Sequence, residues 1–290
     1  MSRRSRALLA LLVGNVLLAL GPWLVRLADV GPIATGFWRL AIAAPVLATL
    51  GLAGGGARQL RSQPRLVVGL VLGGLFFGVD LAAWHLGILR TRLANAALLA
   101  NMASFLFPLY GFAVARRLPS RAQAAALALA VAGTGLLLGR SLQLSPRNLA
   151  GDLLCLLAGA FYTLYLISVD RARTVLPPFA SLGTVTVAGI LPLLAMALWS
   201  GETIVPTHWT PVVLLAFGSQ VLGQGMLVFA IGAADPLAVG LALLIQPVVS
   251  AVIGGRLYGE RLTGWDLLGA TAIGAALVLV RRRPVERAAD

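Results

Sequence analysis

The chain has 290 residues, of which 59% are hydrophobic and 11% charged, and its mean hydropathy is +0.91. Soluble domains carry about 25% charged residues, so an ordinary soluble fold is excluded and a polytopic membrane protein is implied. No ten-residue blocks alternate apolar and polar residues, which argues against a β-barrel. The net charge of +13 comes from 23 arginines and no lysine. No basic face interleaved with aromatics accompanies that charge, so it reads as a topology signal in short loops and not as a nucleic-acid surface.

The chain opens with Ser2-Arg3-Arg4-Ser5-Arg6 before an apolar run over 7–25. Ala19-Leu20-Gly21 offers small residues at the spacing of a cleavage site. Pro22 follows directly and the run is long enough to span a bilayer, so it reads as a retained first helix. Low-charge segments predict ten helices, over 6–27, 33–53, 65–89, 93–114, 121–139, 149–169, 178–199, 210–232, 236–257 and 264–281. The seventh and eighth are the least sharply delimited, separated by Gly201, Glu202, Pro206, His208 and Pro211. The connections are short and leave no room for a soluble domain. Cys155 is the single cysteine, so an intramolecular disulfide is excluded and a small core residue is expected.

The stretch Pro236–Leu262 contains twenty uncharged residues to Gly255, with Pro247 near the middle, and closes on Gly259-Glu260-Arg261-Leu262. A shift of 144 residues lays it on Leu93–Leu118, matching Leu93, Ala94, Leu99, Gly111, Arg117 and Leu118 with Leu237, Ala238, Leu243, Gly255, Arg261 and Leu262. The span ends and charged turns fall in register as well. The expected organisation is therefore two five-helix repeats, 1–144 and 145–290. With the N-terminus in the cytoplasm, fifteen arginines fall on the cytoplasmic side and seven on the other, which places both termini inside. Five spans is an odd number, so the second copy enters the membrane inverted, the arrangement that underlies alternating access.

Several segments resemble the EamA-type transporters of the drug/metabolite transporter superfamily. They are Val13-Gly14-Asn15, Phe37-Trp38-Arg39-Leu40, Gly151-Asp152-Leu153-Leu154, Phe161-Tyr162-Thr163-Leu164-Tyr165 and the Gly259-Glu260-Arg261-Leu262 turn. The resemblance extends over nearly the whole chain in two copies. Two departures stand out. Ala115-Arg116-Arg117-Leu118 replaces the usual Gly-Glu-Arg-Leu, and Ala103 stands opposite Pro247, with Pro108 displaced. The resemblance implies a solute carrier of a bacterial inner membrane, commonly an exporter of amino acids or related metabolites. It is most similar to aromatic amino-acid exporters.

A charge at the bilayer centre costs about 2.5–3.5 kcal/mol on insertion scales, so each intramembrane polar residue can be weighed. Helical rise places Arg39 and Asp80 at similar depth, roughly 10 and 13 Å below the outer surface. They are expected to form a structural ion pair. Asn15, Asn101, Gln220, Gln224, Gln246, Tyr162 and Tyr165 lie deeper. With Trp84 and His85 they predict an uncharged polar cavity with aromatic walls, suited to a zwitterion bearing an apolar or aromatic side chain. Amides can equally serve as interhelical glue, Trp84 as an interfacial anchor and His85 as a buried neutral imidazole. Pro108, Pro247, Gly223 and Gly225 are candidate hinges. Helices five and ten, almost wholly apolar, are expected to face lipid.

No phosphate-binding loop and no His/Cys cluster is present, so neither ATPase chemistry nor a cofactor or metal is expected. The leading reading is facilitative export of a small molecule by a carrier whose monomer holds a complete pathway. A proton-coupled drug or cation efflux carrier, using Asp80 and His85, is the alternative. An integral membrane enzyme acting on lipid-linked substrates is the remote one, since Asp80 and His85 alone make a poor catalytic set.

Overall fold

The computed structural model describes residues 3–103, 145–231 and 243–281, apart from 174, 244 and 262, together with positions 106, 110, 120, 121, 124, 125, 128, 129, 131–133, 135 and 136. Among the described residues there are helices and turns and no strand. The N-terminal span is α1 (Arg3–Ala19) followed by α2 (Gly21–Leu27). The interruption at Leu20 follows from Pro22, which has no N–H to return to the preceding turn. Pro32 starts α3 (Pro32–Leu52), and Pro64 starts α5 (Pro64–Ile88), at positions where the missing donor costs nothing. Between them lies a short helix that the sequence pattern did not predict, α4 (Gly56–Ser62). It is reached through Gly55 at φ 89°, a left-handed conformation that suits glycine. Next come α6 (Leu93–Ala100), α7 (Pro146–Arg173) and α8 (Pro178–Trp199).

The following segment departs from a plain helix. It runs from α9 (Thr210–Leu214) through ten π-helical residues, Leu215–Gln224, into α10 (Gly225–Ile231). The chain closes with α11 (Ile245–Tyr258) and α12 (Gly264–Arg281). Six described spans, over 6–27, 32–52, 64–88, 146–173, 178–199 and 210–230, are long and apolar enough to cross a membrane. Helices predicted over 93–114, 121–139 and 236–257 lie partly outside the described residues, as does Pro108.

Helices from the two parts of the sequence interleave. α5 packs along α7 and α8, α3 along α8, and α1 against the π-helical segment, α10 and α11. Small residues permit the close approach. A Cβ on Gly74 would lie 2.6 Å from the Val185 carbonyl oxygen, and one on Gly51 2.7 Å from that of Phe179, the kind of contact on which helix association in lipid depends. The central core gathers Leu40 and Leu47 of α3, Phe77 of α5, Tyr165 of α7 and Leu182, Val185 and Leu193 of α8.

At the α2–α3 end, polar contacts join sequence-distant segments. Glu202 accepts from the backbone N–H groups of Ile33 (3.3 Å) and Ala34 (2.8 Å), capping α3, whose own N-cap, Gly31, has no side chain to do so. Asp29 accepts from the N–H groups of Thr207 and His208, each at 2.9 Å, and from the Thr207 hydroxyl. Trp38 Nε1 donates to the Ile204 carbonyl at 2.6 Å. Arg26 Nη1 pairs with Glu260 Oε1 at 2.7 Å while Glu260 Oε2 accepts from the Leu93 N–H at 2.9 Å, capping α6. Arg26 also donates to the carbonyls of Ile88 and Thr91.

Candidate functional site

A small cavity of about 50 Å³ lies among α1, α3, α5, α6, α7, the π-helical segment and α11. Its polar and aromatic walls are Arg39, Asp80, Trp84, Asn101, Tyr162, Gln224 and Gln246, completed by Leu18, Phe77, Leu81 and Ala100. Residues far apart in sequence converge because the helices interleave: Leu18 to Asn101 supply one part of the wall and Tyr162 to Gln246 the rest.

Sequence reasoning pairs Arg39 directly with Asp80, and the structure brings the two within electrostatic reach of one another. No ion pair joins them among the described residues, although both line the cavity. Arg39 is only 1% exposed, and its Nε donates to Gln220 Oε1 at 3.0 Å. Gln220 Nε2 in turn donates to the Thr186 hydroxyl at 3.1 Å. The π-helical segment thus delivers a neutral acceptor that engages the guanidinium and leaves Nη1 without a hydrogen-bond partner. The guanidinium carbon also lies 5.9 Å from the Trp84 ring centroid and 6.0 Å from that of Phe77, at the outer edge of cation–π attraction.

Gln224 Nε2 donates to the Tyr162 hydroxyl at 3.3 Å, joining α7 to the π-helical segment. Gln246 Nε2 donates to Asn15 Oδ1 at 2.7 Å, and Asn15 Nδ2 to the Leu11 carbonyl at 2.8 Å. Asn15 therefore orients Gln246 from behind. Asn101 Nδ2 reaches the Leu243 carbonyl at 3.5 Å. Trp84 Nε1 is buried without a partner.

Not every predicted residue is on the wall. Gln220 sits behind Arg39. Tyr165 is fully buried and stacks on Phe77 at 4.6 Å between centroids. His85 faces α3, its Nδ1 3.0 Å from the Pro32 carbonyl. A carbonyl only accepts, so this nitrogen carries the proton. Of the candidate hinges, Gly223 is a close-packing position, where a Cβ would lie 3.0 Å from the Leu18 side chain. Gly225 packs toward Phe179 and Pro247 lies in the first turn of α11 as described.

Sequence reasoning includes Asp152 within the Gly151-Asp152-Leu153-Leu154 segment but gives it no role; it is fully buried and accepts from the Thr91 hydroxyl and from Asn95 Nδ2 (3.2 Å). The available signal was a carboxylate within an apolar run of a chain with only ten acidic residues. Arg26 reads in the sequence only as a loop charge, and Glu260 only as part of the Gly259-Glu260-Arg261-Leu262 turn.

Comparison with known proteins bears on the second part of the chain. Residues 149–282 match the EamA-like transporter family. That EamA-like segment contains Tyr162, Gln224 and Gln246 of the cavity wall. A search of curated proteins finds no match. Among solved structures, one described only as a crystal structure of a protein superposes over 97% of this chain and 98% of its own. Its TM-score is 0.68 at 22% sequence identity, so it shares the fold end to end. The apolar helices and the EamA-like segment together describe a multi-pass membrane protein.

Proposed function

We propose that the protein is a facilitative exporter of zwitterionic amino acids with aromatic or large neutral side chains, working by alternating access around the cavity just described. The carrying observation is the wall itself. A buried guanidinium with a free Nη1 and a carboxylate, not paired with each other, face one space together with amides and aromatic rings. An α-carboxylate meets Arg39 through charge-assisted hydrogen bonds, the ammonium group meets Asp80, and the side chain lies against Trp84, Phe77 and Tyr162. Ten spans in two inverted repeats, 1–144 and 145–290, with both termini in the cytoplasm of a bacterial inner membrane, complete this reading. A monomer is its functional unit.

At about 50 Å³ the cavity holds one or two waters, far below the 300–1,000 Å³ typical of ligand pockets. Substrate entry therefore requires the surrounding helices to part. The test is solute flux in Asn101→Ala, Gln246→Ala and Tyr162→Phe proteins that insert normally. A loss of flux is expected in each, and undiminished flux in all three would move the site elsewhere. Proton-coupled drug or cation efflux is a second reading, favoured by the Asp80 carboxylate on the cavity wall without an ion-pair partner.

A further inference from the structure

We propose that the protein carries a specific site for one anionic phospholipid, with an acyl chain in an apolar groove beside α4 and the headgroup on Arg58, Arg61 and Arg65. The groove has a volume of about 440 Å³ and lies among α3, α4, α5 and α8, away from the central cavity. Leu47 and Gly51 of α3, Leu60 of α4, and Phe179, Gly183 and Leu191 of α8 are among its walls. Its one hydroxyl, on Thr184, is already spent on the Ala180 carbonyl at 2.9 Å. The surface thus offers an occupant no free hydroxyl donor, is almost wholly apolar and suits a hydrocarbon chain.

What identifies the occupant is the charge on and next to the helix that supplies Leu60 to the groove. Helix α4 reads Gly-Ala-Arg-Gln-Leu-Arg-Ser. Leu60 turns into the groove, while Arg58 and Arg61 are exposed, as is Arg65 in the first turn of α5. None of the three arginines makes a hydrogen bond or ion pair among the described residues. No acidic residue occurs between Asp29 and Asp80 in the sequence. A short helix with one apolar residue inward and cations outward is the pattern of an interfacial segment, and arginines near an anionic leaflet attract its phosphate groups. A hydrocarbon groove walled in part by a helix that carries exposed arginines fits a molecule that joins a chain to a phosphate. Neither a free phosphate nor a neutral lipid satisfies both halves.

The experiment is native mass spectrometry of the delipidated full-length protein titrated with phosphatidylglycerol or phosphatidylcholine of the same chains. Wild type is expected to hold the first lipid at least tenfold more tightly. Each arginine near the surface is worth roughly fivefold, so Arg58→Gln/Arg61→Gln/Arg65→Gln should bring phosphatidylglycerol to the phosphatidylcholine level. Val187→Trp, at a half-exposed groove position, should weaken both lipids severalfold. Equal retention of the two lipids by wild type, a comparison that needs no variant, would overturn the proposal. So would phosphatidylglycerol binding unchanged in the triple variant, or full binding in Val187→Trp.

Discussion

Arg39 is where residue-level physics is most exposed. A guanidinium that is 1% exposed and satisfied at Nε by Gln220 alone depends strongly on that one amide. Gln220→Leu strips the acceptor while preserving bulk, and leaving a buried polar group unpaired costs about 1–3 kcal/mol. The detergent-solubilised variant should melt several degrees below wild type, and Gln220→Glu, which keeps an acceptor, should recover most of that loss. An unchanged melting temperature in Gln220→Leu would mean that Arg39 finds another partner. At the surface, Asp29 shows the opposite regime. Its carboxyl is held below the usual carboxylate range by the Thr207 hydroxyl above all; desolvation opposes this, and the N–H groups of His208 and Thr207 add to the lowering. A depressed value means that its contribution is complete above about pH 4 and is lost as pH falls through the lowered value. The difference in thermal stability between wild type and Asp29→Asn should therefore be constant from neutral pH to about pH 4 and shrink below it.

At the scale of elements, the spans were readable because twenty or so apolar residues have few alternative fates. The predicted 178–199 is the observed Pro178–Trp199, and 33–53 differs from Pro32–Leu52 by one residue at each end. The π-helical stretch was not readable, since Leu215–Gln224 differs from an α-helix in hydrogen-bond register and not in composition. It carries Gln220, the acceptor for Arg39 Nε. Helical rise gives a residue's depth but not the direction in which its side chain points. That is why depth alone grouped His85, Gln220 and Tyr165 with Asn101 and Gln246, although only the latter two line the cavity. Two glycines of the π-helical segment test its packing. A Cβ on Gly223 would meet Leu18 at 3.0 Å and the Gly218 carbonyl at 3.2 Å, whereas one on Gly218 meets nothing within 4 Å. Gly223→Leu should destabilise by about 1–3 kcal/mol through overpacking, and Gly218→Ala should be neutral or slightly stabilising. Equal effects in thermal unfolding would contradict the observed packing of α1 on this segment.

For the whole molecule, carboxylates from the later part of the sequence cap helices of the earlier part. Glu202 serves α3 and Glu260 serves α6, the latter tied to Arg26. Arg26 and Glu260 are 14% and 13% exposed, so their pair is screened less than a surface pair. A double-mutant cycle of Arg26→Gln and Glu260→Gln should give a coupling of about 1 kcal/mol or more. Coupling near zero would mean that the two residues act only through their separate backbone contacts. These ties join segments far apart in sequence at the α2–α3 end.

The central claim is that this small cavity is the site of a facilitative carrier for zwitterionic amino acids. Its most direct test is efflux of labelled amino acids from proteoliposomes of the purified protein, with and without a pH gradient. The account predicts saturable efflux of aromatic or large neutral amino acids without a gradient, abolished by Gln246→Ala. Efflux that occurs only with an inward proton gradient, or no flux of any amino acid, would contradict it.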